Sequence, residues 1–308
     1  MSESVKLICF PGAPNLPIYV ALEKNYFTQA GLDVDMKTTP SSPYQAEALA
    51  KGEFDIAGTA FDNVVAYTEG QGAVKFDTPP DFFAFLGATQ IELALIAAAD
   101  KKSVADLNGA SLALDAPGTG FAFVLYHMLE QGGVMPGSYE RAAVGATPQR
   151  WESVKAGAHA GTMTIEPFTS IARAQGFNVL DTSTRTLKDY QGGIFAARRS
   201  WAAENKSKVK SFICGYLDGL AWVLDPANEK EATEILLRNM PEIKPAVVGA
   251  VMKSLLAPTS GLTPKGEMTI EGIKTALTLR TRYGKPAHAL TDPYKYIDLS
   301  YYNDVISK

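Results

Sequence analysis

The fold of this chain is decided by residues 12–35, which read G-A-P-N-L-P-I-Y-V-A-L-E-K-N-Y-F-T-Q-A-G-L-D-V-D. Asn15 can accept hydrogen bonds from the unpaired N–H groups at the start of a helix, and Pro17 fits the first turn because its missing N–H is harmless there. Apolar residues then recur at four-residue spacing, as on one face of a helix: Ile18, Leu22 and Tyr26. Gly31 can adopt the left-handed conformation that ends a helix, and the residues after it alternate as in a strand. The stretch therefore predicts a loop, a helix and a strand in that order.

Strands and helices continue to alternate through the first 70 residues. Residues 5–10, V-K-L-I-C-F, are mostly apolar and are typical of a buried strand in a parallel sheet. Ser42 and Gln45, with Pro43 between them, match the capping-box pattern of a helix start. A short strand is predicted at residues 54–57, and a loop after it runs into a third helix. Such alternation indicates a parallel sheet with right-handed crossovers.

The same opening segment resembles a known family. The run P-x-Y-V-A-L-E-K-N-Y-F-x-x-A-G-L-D-V, which begins at Pro17, is similar to the start of solute-binding proteins of ABC importers. It is most similar to the group that carries nitrate, taurine, alkanesulfonates or thiamine-pyrimidine precursors (NMT1/THI5-like). The resemblance implies an α/β, two-lobed type II periplasmic-binding-protein fold, in which each lobe has a mixed, mainly parallel sheet flanked by helices and two crossover strands join the lobes. It also implies that the segment forms one wall of a ligand cleft, whereas an ordinary βαβ unit is the alternative.

The resemblance also implies where the chain crosses between the lobes. The length of 308 residues suits two domains. Two strand-like runs within residues 82–99 match the first crossing, and the segment at 190–196 matches the return. We therefore expect a discontinuous first lobe, residues 1–90 and 192–308, with residues 91–191 inserted as the second lobe.

Composition excludes several classes of protein. Apolar residues make up 46% of the chain and charged residues 20%, which is ordinary for a globular protein. The net charge of −4 lacks the basic footprint of a nucleic-acid-binding protein. Cys9 and Cys214 belong to no C-x-x-C pair, so we expect no metal site. Two buried thiols are the favoured interpretation, and a disulfide between them is the alternative.

The start of the sequence bears on the cellular compartment in which the protein works. No apolar run reaches the length of a membrane-spanning helix. The chain opens M-S-E-S without the pattern of a signal peptide. The resemblance implies a periplasmic or otherwise extracytoplasmic protein, and we then expect that a signal peptide has been removed. A cytoplasmic N-terminus at Met1 is the alternative.

Candidate ligand-binding residues lie where strands end and helices begin. Ligands of open α/β sheets bind beyond the carboxyl ends of the strands, and helix N-termini there offer N–H groups. The polar candidates in these loops, with one at the first crossing, are Asn15, Ser42, Thr59, Gln90 and Thr119. Three phenylalanines follow such loops and together predict an aromatic lining: Phe61, Phe121 and Phe168. The alternatives are a capping role for the polar residues and a core position for the phenylalanines.

Two charged residues complete the candidate set. Arg150 lies in a helix-opening turn, where its guanidinium could pair with a carboxylate or sulfonate. A solvated surface arginine is the alternative. Glu166 precedes a helix-opening proline and would favour the helix dipole. The resemblance places it near the ligand, where it could accept a ring N–H.

Catalysis has little support in the sequence. The three histidines lie in no recognised catalytic motif: His127, His159 and His288. No G-x-S-x-G, H-E-x-x-H or Cys–His signature is present. We therefore predict a non-enzymatic, monomeric binding protein without a cofactor. It would capture a small organic ligand and deliver it to the membrane permease of an ABC importer.

Two alternatives to this function stay open. One is a cytoplasmic enzyme on the same fold, of the pyrimidine or menaquinone-pathway type. The other is the ligand-sensing domain of a regulator. Arg150 is the one basic residue in the helix-opening loops, and nitrate-sized anions need stronger basic anchors. We therefore favour a larger solute, namely an aromatic acid, a sulfonate or a pyrimidine-like ring, bound by a monomer that has no nucleic-acid partner.

Overall fold

A computed structural model describes residues 3–307 of the chain. The strands are β1 Glu3–Cys9, β2 Leu32–Thr38, β3 Ile56–Ala60, β4 Phe82–Thr89, β5 Ala94–Ala97, β6 Ser111–Leu114, β7 Glu140–Ala143, β8 Gly161–Thr164, β9 Asn178–Thr182 and β10 Gly193–Arg198. The helices are α1 Leu16–Glu23, α2 Tyr26–Gln29, α3 Ser42–Ala50, α4 Phe61–Thr68, α5 Gly120–Gln131, α6 Thr147–Lys155, α7 Phe168–Ala174, α8 Ser183–Thr186, α9 Arg199–Glu204, α10 Lys206–Leu224, α11 Glu229–Asn239, α12 Pro245–Leu255, α13 Ile270–Tyr283 and α14 Ser300–Ile306. Short 3-10 helices lie at Ala13–Asn15, Val104–Leu107, Pro226–Asn228, Pro264–Gly266 and Pro293–Tyr296.

Two five-stranded sheets form the centres of two lobes. The first sheet has the order β2-β1-β3-β10-β4, and the second has the order β7-β6-β8-β5-β9. In each sheet one strand runs against the other four: β10 is antiparallel to both its neighbours, and so is β5. The sheets are therefore mixed and mainly parallel, and helices flank them. This architecture confirms the expected two-lobed α/β fold.

The chain passes between the two sheets twice. It leaves the first sheet after Thr89 and enters the second at Ala94, and it leaves the second after Thr182 and returns at Gly193. The helices α9–α14 then follow in sequence. The exact limits of the lobes, at residues 90/91 and 191/192, remain a prediction.

Helix α10 packs against the segment that opened the sequence analysis. Its partners are α1 and α2, and two glycines on one face of α10 make the contact possible. A Cβ atom at Gly219 would overlap the carbonyl oxygen of Pro17, and one at Gly215 would overlap Phe27. Backbone-to-backbone approach of this kind leaves no room for a side chain, so these positions require glycine.

Two local predictions need correction. The helix does not run on to Tyr26, because α1 ends at Glu23 and Asn25 adopts a left-handed conformation with φ of 61° before α2 begins. The cap of α3 is Ser41, whose Oγ accepts the Tyr44 N–H at 3.3 Å. Ser42 is instead the first residue of that helix.

The predicted partner in that capping box, Gln45, has another role. Its side chain is buried, and Nε2 donates to the carbonyl oxygens of Ile8 and Gly58 at 3.1 Å each. These acceptors lie on neighbouring strands β1 and β3, so Gln45 ties α3 to the sheet rather than closing its own first turn.

Within residues 3–307, no helix combines the length and the apolar character that crossing a bilayer requires. Cys9 is buried in β1, and no disulfide joins it to Cys214. Cys214, in α10, is only partly buried, so the expectation of two buried thiols holds for Cys9 and is wrong for Cys214.

Candidate ligand-binding site

A cavity of about 90 Å³ lies between the two lobes. One water needs roughly 10–15 Å³ of such volume, so the space suits a small organic molecule. The wall is built where strands end: Phe10 and Gly12 follow β1, Thr59 belongs to β3, Asp115 follows β6 and Ile165 follows β8. This is the edge at which open α/β sheets hold their ligands.

Most of the wall is apolar. The apolar residues that form it come from both lobes and from both crossings: Phe10, Pro14, Ile18, Ala60, Ala88, Ile91, Phe121, Ile165, Ile194 and Phe195. An apolar wall with a few placed polar groups is typical of small-molecule sites.

The first lobe contributes a chain of polar side chains to the cavity. The Nδ2 atom of Asn63 donates to Thr59 Oγ1 at 2.9 Å and to Ser42 Oγ at 3.4 Å. Ser42 in turn faces the second lobe: its Oγ–H donates to the Asp115 carboxylate, which also accepts the Ser42 N–H at 3.0 Å. The polar chain therefore crosses the cleft and ends on a carboxylate.

Arg150 is the basic residue of the cavity wall. It is only 4% exposed, and four of its five N–H groups are directed to neutral oxygens of the second lobe. Nε donates to Thr162 Oγ1 at 3.1 Å, Nη1 to the Gly145 carbonyl at 2.6 Å, and Nη2 to Thr147 Oγ1 at 3.0 Å and to the Met163 carbonyl at 3.1 Å. Burial lowers the pKa of Arg150 to about 10, and the Asp115 carboxylate opposes this shift. The guanidinium is therefore a positive charge held rigidly at the cavity.

Hydrogen bonds between the two lobes close them around the cavity. Two of these bonds join main-chain groups of loops: the Ala13 N–H donates to the Glu166 carbonyl at 3.0 Å, and the Ala146 N–H donates to the Pro40 carbonyl at 2.9 Å. A third bond comes from a long side chain, because Arg280 Nη2 donates to the Gly118 carbonyl at 2.8 Å.

Six of the ten predicted site residues are brought together in the cavity wall. They are Asn15, Ser42, Thr59, Thr119, Phe121 and Arg150. Asn15 and Thr119 occupy the N-cap positions of α1 and α5, but neither side chain makes a capping hydrogen bond, so the capping roles considered for them are wrong. The Asn15 amide instead donates to the Phe10 carbonyl at 2.8 Å, and the Thr119 hydroxyl donates to the Ala116 carbonyl at 3.0 Å. Contact of any of the six with a ligand remains a prediction.

The other four predicted residues do not form part of the wall: Phe61, Gln90, Glu166 and Phe168. The expected lining by three phenylalanines is therefore reduced to Phe121. Phe61 is fully buried and packs edge-on against Tyr296, with ring centroids 6.3 Å apart. Phe168 lies in the apolar cluster that includes Trp151. Both begin helices, and their rings pack into the interior beneath.

Glu166 lies beside the cavity but is turned towards its own helix. Its carboxylate accepts the Ser170 hydroxyl at 2.9 Å and the Ser170 N–H at 3.2 Å. Burial raises the pKa of Glu166 to about 6, and these hydrogen bonds oppose the shift. The expected contact with a ring N–H would have to displace this arrangement.

Several wall residues were absent from the sequence-based set, and Asp115 and Asn63 are the important ones. Asp115 had a usable signal, because it comes directly after the mostly apolar run S-L-A-L, which forms β6. Asn63 had none, since it lies inside α4 rather than in the loop before it. Among residues 3–307, no group of three or more His, Cys, Asp or Glu side chains is arranged to hold a metal ion.

Comparisons with known proteins identify a matching family and several structures of similar fold. The NMT1-like family model matches residues 2–237. No curated protein sequence matches the chain. A structure from Bordetella bronchiseptica RB50 is similar, with 20% identity over 99% of this chain and 97% of that one and a TM-score of 0.79.

Two further similar structures carry descriptions of what they bind. One is the periplasmic nitrate-binding protein NrtA of Synechocystis PCC 6803, with 17% identity over 99% of this chain and 88% of that one and a TM-score of 0.81. The other is the alkanesulfonate-binding protein SsuA of Xanthomonas axonopodis pv. citri bound to MOPS, with 16% identity over 97% of this chain and 99% of that one and a TM-score of 0.74. At such identities the likeness shows the fold alone.

Proposed function

Because the chain belongs to the NMT1-like family, we propose that it is an extracytoplasmic solute-binding protein that captures a small organic ligand between its lobes and delivers it to an ABC importer. The observation that carries the proposal is the cavity itself, which is mostly apolar and is closed by contacts between the lobes. The descriptions of NrtA and SsuA as nitrate- and alkanesulfonate-binding proteins support the same class of function.

The chemistry of the wall supports binding rather than turnover. Of the wall residues that the structure describes, Asp115 and Arg150 are the ones that ionise, and none is a cysteine or a histidine. Both charges are engaged with protein atoms, Asp115 with Ser42 and Arg150 with its carbonyl and hydroxyl acceptors. Capture then consists of enclosure between two lobes that move about the crossover strands.

Native mass spectrometry of gently purified protein is the first test. We expect a bound organic molecule of small mass, and titration calorimetry with that compound should give saturable binding to a monomer at a ratio of one to one. The compound should be recovered unchanged after prolonged incubation with catalytic amounts of protein. Steady conversion to a product would replace the binding function with an enzymatic one.

Delivery needs a separate measurement. Vesicles that contain the cognate permease and ATPase should accumulate the identified compound only when the binding protein is added. A protein that binds the compound but supports no uptake would refute the importer role and leave the capture role in place.

A further inference from the structure

We propose that Asp115 selects the charge of the ligand. Its carboxylate fills the positions that an anion would take, so that the cavity accepts a neutral or zwitterionic organic solute and excludes free oxyanions. This inference rests on the proposed solute-binding function and narrows the class of solute. It depends on three features: the N-terminus of α3, the donors of Arg150 and the charge balance of the wall.

The N-terminus of α3 is occupied by Asp115. A helix of this length attracts an anion at its first turn, where N–H groups have no partner within the helix. Here the Ser42 N–H donates to both Asp115 oxygens, at 3.0 and 3.2 Å, and Pro43 has no N–H. The Tyr44 N–H donates to Ser41 Oγ. Within residues 3–307, these contacts therefore leave no N–H group in the first turn of α3 available to a bound anion.

The donors of Arg150 are also largely committed. Its four hydrogen bonds to the second lobe leave, within residues 3–307, one N–H on Nη1 without a protein acceptor. A carboxylate or sulfonate could therefore not be held by the paired, two-point contact that makes arginine a strong anion receptor. The available N–H suits one acceptor atom of a ligand.

The wall is electrically balanced as a result. Asp115 and Arg150 carry opposite charges, and the attraction between them is the force that opposes the loss of the Arg150 proton on burial. A free oxyanion would meet the Asp115 carboxylate across the cavity and suffer repulsion in a poorly screened space. A solute with an N–H or O–H donor for Asp115, an acceptor for Arg150 and an apolar body would satisfy both.

The test replaces Asp115 and measures the binding of an oxyanion directly. Asp115→Asn keeps the shape and an acceptor for Ser42 but removes the negative charge. Titration calorimetry with sodium methanesulfonate, at constant ionic strength set by chloride, should show affinity at least about tenfold higher for Asp115→Asn than for the unaltered protein. Asp115→Ala should also bind methanesulfonate more tightly, because it leaves the Ser42 N–H and hydroxyl without their acceptor.

Matched variants separate this effect from a general change of charge. Asp100→Asn removes one negative charge from the second lobe at a position where the side chain is 72% exposed. Its affinity for methanesulfonate should equal that of the unaltered protein. Adding Arg150→Gln to Asp115→Asn should abolish the gain. Thermal unfolding of each variant checks that the fold persists.

The outcomes distinguish this inference from the proposed function. Equal methanesulfonate affinity in the unaltered protein and both Asp115 variants, or an equal gain in Asp100→Asn, would overturn the role of Asp115 while binding of the native solute stands. If no organic solute binds the unaltered protein but Asp115→Asn binds methanesulfonate, the proposed function fails and the charge selection by Asp115 is supported.

Discussion

Arg150 shows how a single buried charge can be both a wall residue and a structural one. It joins the loop at Gly145 to strand β8 through Thr162 and Met163. Buried polar groups that lose a partner cost more than the hydrogen bond itself was contributing, because the remaining group stays desolvated. The residue therefore holds the second lobe in shape independently of any ligand.

Arg150→Ala should lower the free energy of unfolding by more than about 3 kcal/mol, because several buried carbonyl and hydroxyl oxygens lose their donor at about 1–3 kcal/mol each. Arg150→Lys should recover only part of this, since an ammonium cannot reach four acceptors at once. Urea unfolding measures the effect. Arg173→Ala, at an exposed position of α7, is the control and should stay within about 0.5 kcal/mol of the unaltered protein.

Glu166 should make stability depend on pH. Its folded-state pKa of about 6 lies above the ordinary 4.5, so the folded protein holds this proton more tightly than the unfolded chain does. The stabilisation is complete below pH 4.5 and is lost as the pH rises towards 6, with a total of about 2 kcal/mol at roughly 1.4 kcal/mol per pKa unit. Glu166→Gln should therefore be more stable than the unaltered protein near pH 7 by about 1–2 kcal/mol.

The same comparison near pH 4 should show no such advantage, because Glu166 is then protonated and equivalent to the amide. Urea titrations of both proteins at the two pH values give the difference. Glu152→Gln, whose carboxylate is 61% exposed on α6, is the control. A Glu166→Gln advantage that is the same at both pH values would contradict the burial of an ionised carboxylate.

At the scale of elements, the packing of α10 on α1 and α2 holds the cavity-lining loop in place. The loop that carries Gly12 and Asn15 into the cavity leads directly into α1. Because α10 approaches α1 at a glycine, the distance between these helices is set by backbone atoms and not by adjustable side chains. Close contact of this kind transmits strain rather than absorbing it.

Gly219→Ala should destabilise the protein by about 1–3 kcal/mol, because the new methyl group overlaps the Pro17 carbonyl and forces the helices apart. Helix propensity alone predicts the opposite sign, since alanine is better than glycine by about 1 kcal/mol in a helix interior. Gly249→Ala in α12 provides the matched control, because nothing lies within 4 Å of its added methyl group. We expect the free energy of unfolding to fall in Gly219→Ala and to rise in Gly249→Ala. A rise in both variants would contradict the close approach of the two helices.

At the scale of the molecule, a buried ion pair of the first lobe also contacts the second lobe. Arg280 of α13 is fully buried, pairs with Asp62 of α4 through two hydrogen bonds, and donates to the Gly118 carbonyl in the second lobe. Its guanidinium also lies over the ring of Phe123, 4.7 Å from the centroid. A contact between lobes therefore depends on a charge pair that water does not reach.

Arg280→Met should lower the free energy of unfolding by about 3–5 kcal/mol, because it leaves the Asp62 carboxylate buried without its partner. Combining Asp62→Leu with Arg280→Met should restore part of the loss, since no charge is then left unpaired. Arg282→Ala, two residues further along α13 and 57% exposed, should cost no more than about 1 kcal/mol. Denaturant titration of the four proteins checks the order, and equal losses at positions 280 and 282 would contradict it.

Closure of the lobes can be tested at Gly120. A Cβ atom there would overlap the side chain of Asp62 across the cleft, so Gly120→Ala should hold the lobes apart. At Gly118 the added methyl group would lie 3.6 Å from the Gln71 carbonyl oxygen, which is an ordinary contact. We expect small-angle scattering to show a larger radius of gyration, and calorimetry to show weaker ligand binding, for Gly120→Ala only. Unchanged scattering and affinity in Gly120→Ala would show that closure does not depend on this contact.

Short-range patterns in the sequence were enough to predict the class of fold and several residues of the cavity wall. Glycine stops such as Gly31, proline at helix starts and the alternation of apolar runs act over a few residues, and they hold wherever the segment is placed. Three polar residues predicted from strand–helix junctions therefore lie in the wall of the cavity: Ser42, Thr59 and Arg150.

The direction of each side chain, towards the cavity or towards the core, depends on tertiary packing. Phe61 and Phe168 begin helices as expected, yet their direction depends on cores assembled from distant parts of the chain. Asp115 becomes important only because Ser42, 73 residues earlier, meets it across the cleft. Local backbone preferences act within a few residues, whereas the identity of a partner across a cleft depends on how two lobes close, and no short sequence pattern encodes that contact.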